Sequence, residues 1–147
     1  MRKIKFRAWQ KSVRGLDARG MMWQSAETFK DYVVGFDGSV YEKFVDSFAG
    51  ESFDNYRDVR DNFVLMQYTG LNDKNGREIY EGDVVRYKLG GEWIVGDVRY
   101  DVPSARYVKR AERIGELWDY KDLSSYLGST SVIGNIHEDP EILDQAT

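Results

Sequence analysis

The chain contains no cysteine, a single histidine and no long apolar run, and each absence removes a class of function. Without thiols there are no disulfides, no thiolate metal sites and no cysteine nucleophile. With no signal peptide in view, that composition favours a reducing compartment, and the expected location is cytoplasmic. One imidazole, His137, excludes a His-pair metal site or a zinc triad of the usual kinds within one chain. No stretch approaches the roughly 18–20 apolar residues of a membrane-spanning helix. The opening Met1-Arg2-Lys3-Ile4-Lys5-Phe6 alternates charge with hydrophobe where a signal sequence is continuously apolar. No membrane partner is expected. Nucleotide fingerprints are missing as well, since Gly90-Gly91 is followed neither by Lys-Ser/Thr nor by a helical pattern.

What is present is enough for a core. A chain of 147 residues fits one domain or two small subdomains and buries roughly 68–70% of the surface its unfolded form exposes. The net charge of −4 argues against generic polyanion binding, but it averages over opposite segments. Residues 1–20 carry seven Lys/Arg and one Asp, residues 21–61 four basic and nine acidic side chains, and residues 122–147 five acidic and no basic ones. Opposite-sign segments lying near each other account for this, and a basic patch for a phosphate backbone is the sharper alternative.

Local patterning predicts a mainly β fold: short antiparallel strands forming a small barrel or sandwich, with an N-terminal hairpin region and one or two short helices. Residues 3–9 alternate as a half-buried strand, and Gly20-Met21-Met22-Trp23-Gln24 is its hairpin partner across a long loop. Tyr32 to Phe36 and Ser39-Val40-Tyr41 flank an Asp37-Gly38 turn. Glu42 to Asn62 shows no clean period and is read as a short helix with a loop covering the sheet. Phe63 to Tyr68 and Glu78-Ile79-Tyr80 are strands joined by a tight turn, in which Asn75-Gly76 suits type I′ with positive φ at both positions. Val84 to Tyr87 and Glu92 to Tyr100 pair across Gly90-Gly91, with Gly96 marking a bulge or bend. Ala105 to Lys109 is another strand, Leu117 to Leu127 has near-helical apolar spacing, and Ser131 to Ile136 is a last strand. Pro140 to Leu143 forms a closing helical turn capped by Asp139, with Pro140 at its first position.

Three stretches carry a family resemblance. Ile4-Lys5-Phe6-Arg7-Ala8-Trp9 with Met21-Met22, the run from Leu65 through Leu71-Asn72-Asp73-Lys74-Asn75-Gly76-Arg77 to Val84-Val85, and Val132 to Leu143 resemble the YopX family of phage and prophage proteins. Residues 25–62 and 101–130 lie outside the match. The resemblance implies one domain over residues 1–147, mostly β, encoded by a bacteriophage or prophage and acting in a bacterial cytoplasm. It brings no established activity and no catalytic residues. From the strand pattern, a division into residues 1–62 and a C-terminal barrel over 63–147 is the expected subdomain arrangement. A Gly-Asp turn entering a hydrophobic strand, as at Gly82-Asp83, also recurs in SH3-like barrels, an analogy of fold alone.

Chemistry was sought in the remaining residues. Setting Gly76 at the invariant glycine of a calcium loop puts Leu71 at the first ligand position and Gly82 where a bidentate Glu belongs, so the loop fails. Ser129 and Ser131 do not sit in a Gly-x-Ser-x-Gly elbow, and His137 beside Glu138 and Asp139 reads as a solvated loop residue. Asp54, Asp58 and Asp61 would share a face of a helix, the basis of a carboxylate- or metal-dependent enzyme as the least favoured alternative. No cofactor is expected. Trp9 shares a strand face with Lys3, Lys5 and Arg7 by strict alternation, and with Lys11 and Arg14 beyond, these residues form the candidate nucleic-acid or partner surface. The favoured expectation is a non-enzymatic accessory protein, a β module that binds a host or phage protein. Nucleic-acid binding is the second reading, and self-association stays open because strand edges permit it.

Overall fold

The computed structural model describes residues 3–12, 20–23, 31–35, 37–113 and 116–145. The chain forms two compact units, one spanning Phe6–Met66 and the other Met1–Lys5 with Gln67–Thr147.

In the Phe6–Met66 unit, β1 (Phe6–Gln10) pairs antiparallel with β2 (Gly20–Trp23) in the register Arg7↔Trp23 to Gln10↔Gly20. This is the expected N-terminal hairpin, beginning at Phe6 rather than Lys3. The start of β6 (Phe63–Asn72) lies on the other side of β1. A three-stranded sheet, in the order β3-β4-β5, joins β3 (Tyr32–Val34), β4 (Val40–Phe48) and β5 (Glu51–Asp58). Ala8, Val40, Val59 and Phe63 form a buried core, with Met22, Tyr32, Val34 and Leu65 packed against it. Tyr32 meets Phe63 edge to face at 5.2 Å between ring centroids.

The segment after Glu42 corrects the expectation of a helix and loop. It is a regular hairpin in which each residue from Tyr41↔Asp58 to Phe48↔Glu51 has a partner. Ala49 (φ 54°) and Gly50 (φ 83°) are both left-handed, the backbone of a two-residue type I′ turn whose twist matches that of the strands. Only Arg60–Asn62 is helical there, as one 3₁₀ turn. Asp54 and Asp58 therefore stand on a strand, and the common helical face inferred for them with Asp61 does not exist.

In the second unit the end of β6 pairs with β7 (Glu78–Tyr80), and five strands form a half-barrel in the order β11-β10-β9-β8-β12. These are β8 (Asp83–Leu89), β9 (Glu92–Asp101), β10 (Arg106–Arg113), β11 (Glu116–Asp122) and β12 (Ser131–Asn135). Ile79, Val85, Tyr87, Val98, Leu123 and Val132 make its core. The near-helical spacing over Leu117–Leu127 is overruled by pairing with β10 from Val108↔Asp122 to Arg113↔Glu116; Trp118 and Tyr120, two apart, fit the strand period equally well. A single 3₁₀ turn follows at Leu127–Ser129. The closing helix, α1 (Glu141–Gln145), is present. The Asp139 carboxylate, however, accepts from the Asn135 N–H at 3.2 Å, turned back to β12, and only its backbone carbonyl receives the Ile142 N–H.

The type I′ conformation expected at Asn75-Gly76 is found instead at Gly90-Gly91, the expected hairpin turn. Gly90 (φ 59°) and Gly91 (φ 95°) form the two-residue left-handed turn of the β8–β9 hairpin. At Asn75-Gly76 only Gly76 is left-handed, with φ 83°. There Asp73 organises a three-residue loop: its carbonyl accepts from Gly76 N–H, its N–H donates to Arg77 O, and its Oδ1 accepts from Asn75 and Arg77 N–H at 2.8 and 2.9 Å. Asp73 Oδ2 accepts from Val132 N–H at 3.0 Å, so one buried carboxylate binds the loop to β12. Gly96 marks no bulge against β8, since that register runs through it unbroken. It marks close approach: a Cβ there would lie 2.5 Å from the Arg110 carbonyl oxygen.

Candidate functional site

The residues of the candidate basic surface fall in different settings. Lys3 is exposed. Lys5 is ion-paired with Glu78, whose carboxyl it holds below the ordinary glutamate range, with help from the Tyr80 hydroxyl. Arg7 is 2% exposed, and its guanidinium lies over the Trp23 ring at 5.3 Å. Strict alternation thus misplaces it, because both Arg7 and Ala8 are buried. Trp9 is half-buried and Lys11 exposed, with its ammonium donating to the Asp61 carbonyl at 3.3 Å. Arg14 lies outside the described residues. Lys3 and Lys5 belong to one unit, and Arg7, Trp9 and Lys11 to the other.

Three carboxylates are committed to local ion pairs. Asp54 meets Lys43 at 2.8 Å, Asp58 meets Arg60 at 2.7 Å, and Asp97, fully buried, is held between Arg99 and Arg110. Among the described residues no group of three or more His, Asp or Glu side chains is placed to hold a metal. Ser129 accepts the Lys88 N–H and donates to the Tyr126 carbonyl. Lys109 stands on the core side of the half-barrel, donating to the Ser125 carbonyl, with its ammonium 4.3 Å from the Tyr87 ring centre and 5.6 Å from that of Tyr126. Burial pulls its pKa down to about 8. No helix among the described residues is long and apolar enough to cross a membrane.

The feature that sequence reasoning missed is the β4–β5 hairpin itself. Among the described residues β3 pairs with Val40 to Glu42 of β4 and Asp31 O accepts from the Lys43 N–H, so the rest forms a two-stranded arm, and all eight residues of β5 are exposed. Residues opposite each other in an antiparallel pair share a face. One face therefore carries Phe44, Asp46 and Phe48 opposite Asn55, Phe53 and Glu51, and ends at the Glu42–Arg57 ion pair. Phe44, Phe48 and Phe53 are 39%, 78% and 46% exposed. At roughly 200 Å² per aromatic side chain this leaves about 300 Å² of ring surface in water, within the range of the largest, often functional, patch of a monomer. The other face carries Val45 and Tyr56, also exposed. The cue was available: Phe44, Asp46 and Phe48 alternate with Lys43, Val45 and Ser47, but Ala-Gly is a weaker turn signal than Asn-Gly. At the root of the arm an open cleft of about 650 Å³ is lined by Gln10, Met21, Met22, Asp31, Tyr32, Glu42 and Lys43. Its Glu42 and Lys43 are the residues already paired with Arg57 and Asp54.

Two units of antiparallel strands, one bearing a projecting arm and the other a half-barrel, define an all-β protein. The family model described as YopX protein matches residues 5–144, and the chain belongs to the YopX family. It is similar over 97% of its length to the crystal structure of protein EF1440 from Enterococcus faecalis, at 26% identity, covering 99% of that chain with a TM-score of 0.53. The structure of protein yopX from Bacillus subtilis shares the fold at 17% identity, with coverage of 97% and 99% and a TM-score of 0.56. No curated protein matches.

Proposed function

We propose that this chain is a non-enzymatic accessory protein of a phage or prophage that acts by binding a host or phage protein through the β4–β5 arm. The observation that carries the reading is the row of Phe44, Phe48 and Phe53 on one face of a hairpin whose outer strand is exposed throughout. A two-stranded ribbon is marginal in water by itself. Aromatic side chains set on such a ribbon supply the apolar anchors that dominate protein interfaces. The basic N-terminal strand supports the nucleic-acid alternative less well, since Arg7 is buried and Lys5 is ion-paired.

The test is affinity capture from host lysate, with and without nuclease, comparing the natural chain with a Phe48→Ser/Phe53→Ser variant. A nuclease-resistant protein captured only by the natural chain supports the reading. Capture that is indifferent to the two phenylalanines, or lost on nuclease treatment, overturns it. So does robust turnover in a hydrolase or nuclease screen that disappears when one carboxylate is replaced.

A further inference from the structure

The arm has an electrostatic character that narrows what can lie on it. Residues 40–58 contain five carboxylates, Glu42, Asp46, Glu51, Asp54 and Asp58, against two cations, Lys43 and Arg57. Both cations are used within the arm, on Asp54 and Glu42, and Asp58 takes Arg60. Asp46 and Glu51 meet no cation among the described residues. By register they stand on the phenylalanine face, Asp46 opposite Phe53 and Glu51 opposite Phe48. The tip of the arm is thus a checkerboard of two carboxylates and two exposed rings.

Among the described residues the edge beside this checkerboard is open. β5 is the last strand of its sheet there, its pairing with β4 runs without a bulge, and its eight residues include neither Lys nor Pro. Bulges, prolines and charged side chains, lysine above all, protect sheet edges from further pairing; of these β5 has only the charges of Glu51, Asp54, Arg57 and Asp58, mostly acidic, which disfavour an acidic strand and suit a basic one. A second copy of the arm would bring like net charge against like, about −3 on each side, and is disfavoured on that ground.

Building on the interaction reading above, we infer that the arm takes an extended segment of its protein partner as an added strand on β5, with basic and apolar side chains taking turns at every second residue, on one face of the strand. Backbone hydrogen bonds along the edge hold the segment. Every second side chain of a strand lies on the same face, so on the phenylalanine face a basic residue of the segment reaches Glu51 and Asp46 and an apolar residue two positions away packs on Phe53 and Phe48.

The experiment uses the full chain and labelled nine-residue peptides, read by fluorescence anisotropy. One probe places lysine and phenylalanine in turn at every second residue with threonine between them, a second carries glutamate in place of lysine, and a third is the basic peptide N-methylated at alternate residues. The basic probe is expected to bind with an affinity that falls with salt. Binding is expected to weaken roughly tenfold on Asp46→Lys with Glu51→Lys, as reversing two rim charges would give, and to vanish with N-methylation on the edge-facing side. Both substitutions are exposed, and an unchanged melting profile verifies folding. Equal binding of the acidic probe, or full binding of probes methylated on either side, overturns the inference. So does an arm-dependent dimer in sedimentation, which would make a second copy the occupant. The outcomes separate from those of the interaction reading: loss of peptide binding with lysate capture still dependent on Phe48 and Phe53 removes only the identity of the occupant.

Discussion

Replacing Asp73 by Asn tests whether one carboxylate couples the 73–77 loop to the half-barrel. Its Oδ1 serves Asn75 and Arg77 N–H, and its Oδ2 serves Val132 N–H. Asparagine keeps one carbonyl oxygen and can retain the Oδ1 pair, but it sets an NH₂ group against the Val132 N–H. Val132 is 9% exposed, so that donor loses its partner away from water, at about 1–3 kcal/mol, with donor–donor repulsion added. Asp73→Ala loses all three acceptor contacts; the two loop donors reach solvent at about 0.5–1 kcal/mol each, giving roughly 3 kcal/mol in total. At about 2–4 °C per kcal/mol for a chain of this size, the alanine variant melts about 6–12 °C lower. Amide exchange distinguishes the two variants. In Asp73→Asn the Val132 amide exchanges faster while those of Asn75 and Arg77 stay protected, and in Asp73→Ala all three speed up. Unchanged protection at Val132 in Asp73→Asn would refute the reasoning. The pH dependence has a definite sign. Burial pushes the Asp73 pKa up, but the N–H donors of Val132, Arg77 and Asn75 outweigh it and leave it below the ordinary value of 3.8. A depressed folded pKa means stability present above the unfolded value and lost as pH falls through the folded one. The natural chain therefore loses a component of stability on acidification below about pH 4, and Asp73→Asn lacks that component.

Gly96→Ala places a Cβ 2.5 Å from a backbone carbonyl of β10 and is expected to cost about 3 kcal/mol in urea unfolding; a loss below about 1 kcal/mol would show that β10 yields. Lys109 is fully buried with its pKa lowered to about 8, so the unfolded chain binds the proton more tightly and stability rises between about pH 8 and the ordinary lysine value of 10.5. Lys109→Met should flatten that rise relative to the natural chain, followed by denaturant midpoints across the alkaline range, and an identical slope in both would refute it. Asn75→Ala is expected to change stability by under about 0.5 kcal/mol, whereas Gly76→Ala costs about 1 kcal/mol because Gly76 alone is left-handed; equal effects would contradict this turn geometry.

The strands with flanking turn chemistry were legible in the sequence. β1 with β2, β3 with the start of β4, and β8 with β9 all follow from alternation ended by Gly-containing turns. Failures came where tertiary pairing decides. Leu117 to Leu127 has apolar positions that satisfy both periods, and only the β10 edge makes it a strand. Residues 42–58 show no clean apolar alternation, because acidic residues occupy positions that a half-buried strand would fill with hydrophobes, neither face of β5 being buried. Asn75-Gly76 carries the strongest short turn signal in the chain, yet Asp73, three residues before Gly76, accepts from the loop amides and selects a different loop. The candidate basic surface was read from alternation along β1, which cannot anticipate burial of two successive residues, Arg7 and Ala8. The arm's phenylalanines were visible as residues but not as a surface, since a row of Phe reads as core until the register sets them on one face and their exposure shows that face uncovered among the described residues.

The unit formed by Met1–Lys5 and Gln67–Thr147 is interrupted along the chain by the other one. Tyr68 N–H donates to the Lys5 carbonyl and Lys5 pairs with Glu78, so its first contacts join residues more than sixty positions apart. During synthesis, which delivers about 5–20 residues per second, the contiguous Phe6–Met66 segment is available to fold before any of its host unit beyond Lys5 exists. The arm is therefore complete several seconds before the half-barrel can close, and the binding proposed for it would be open to it while the chain is still on the ribosome.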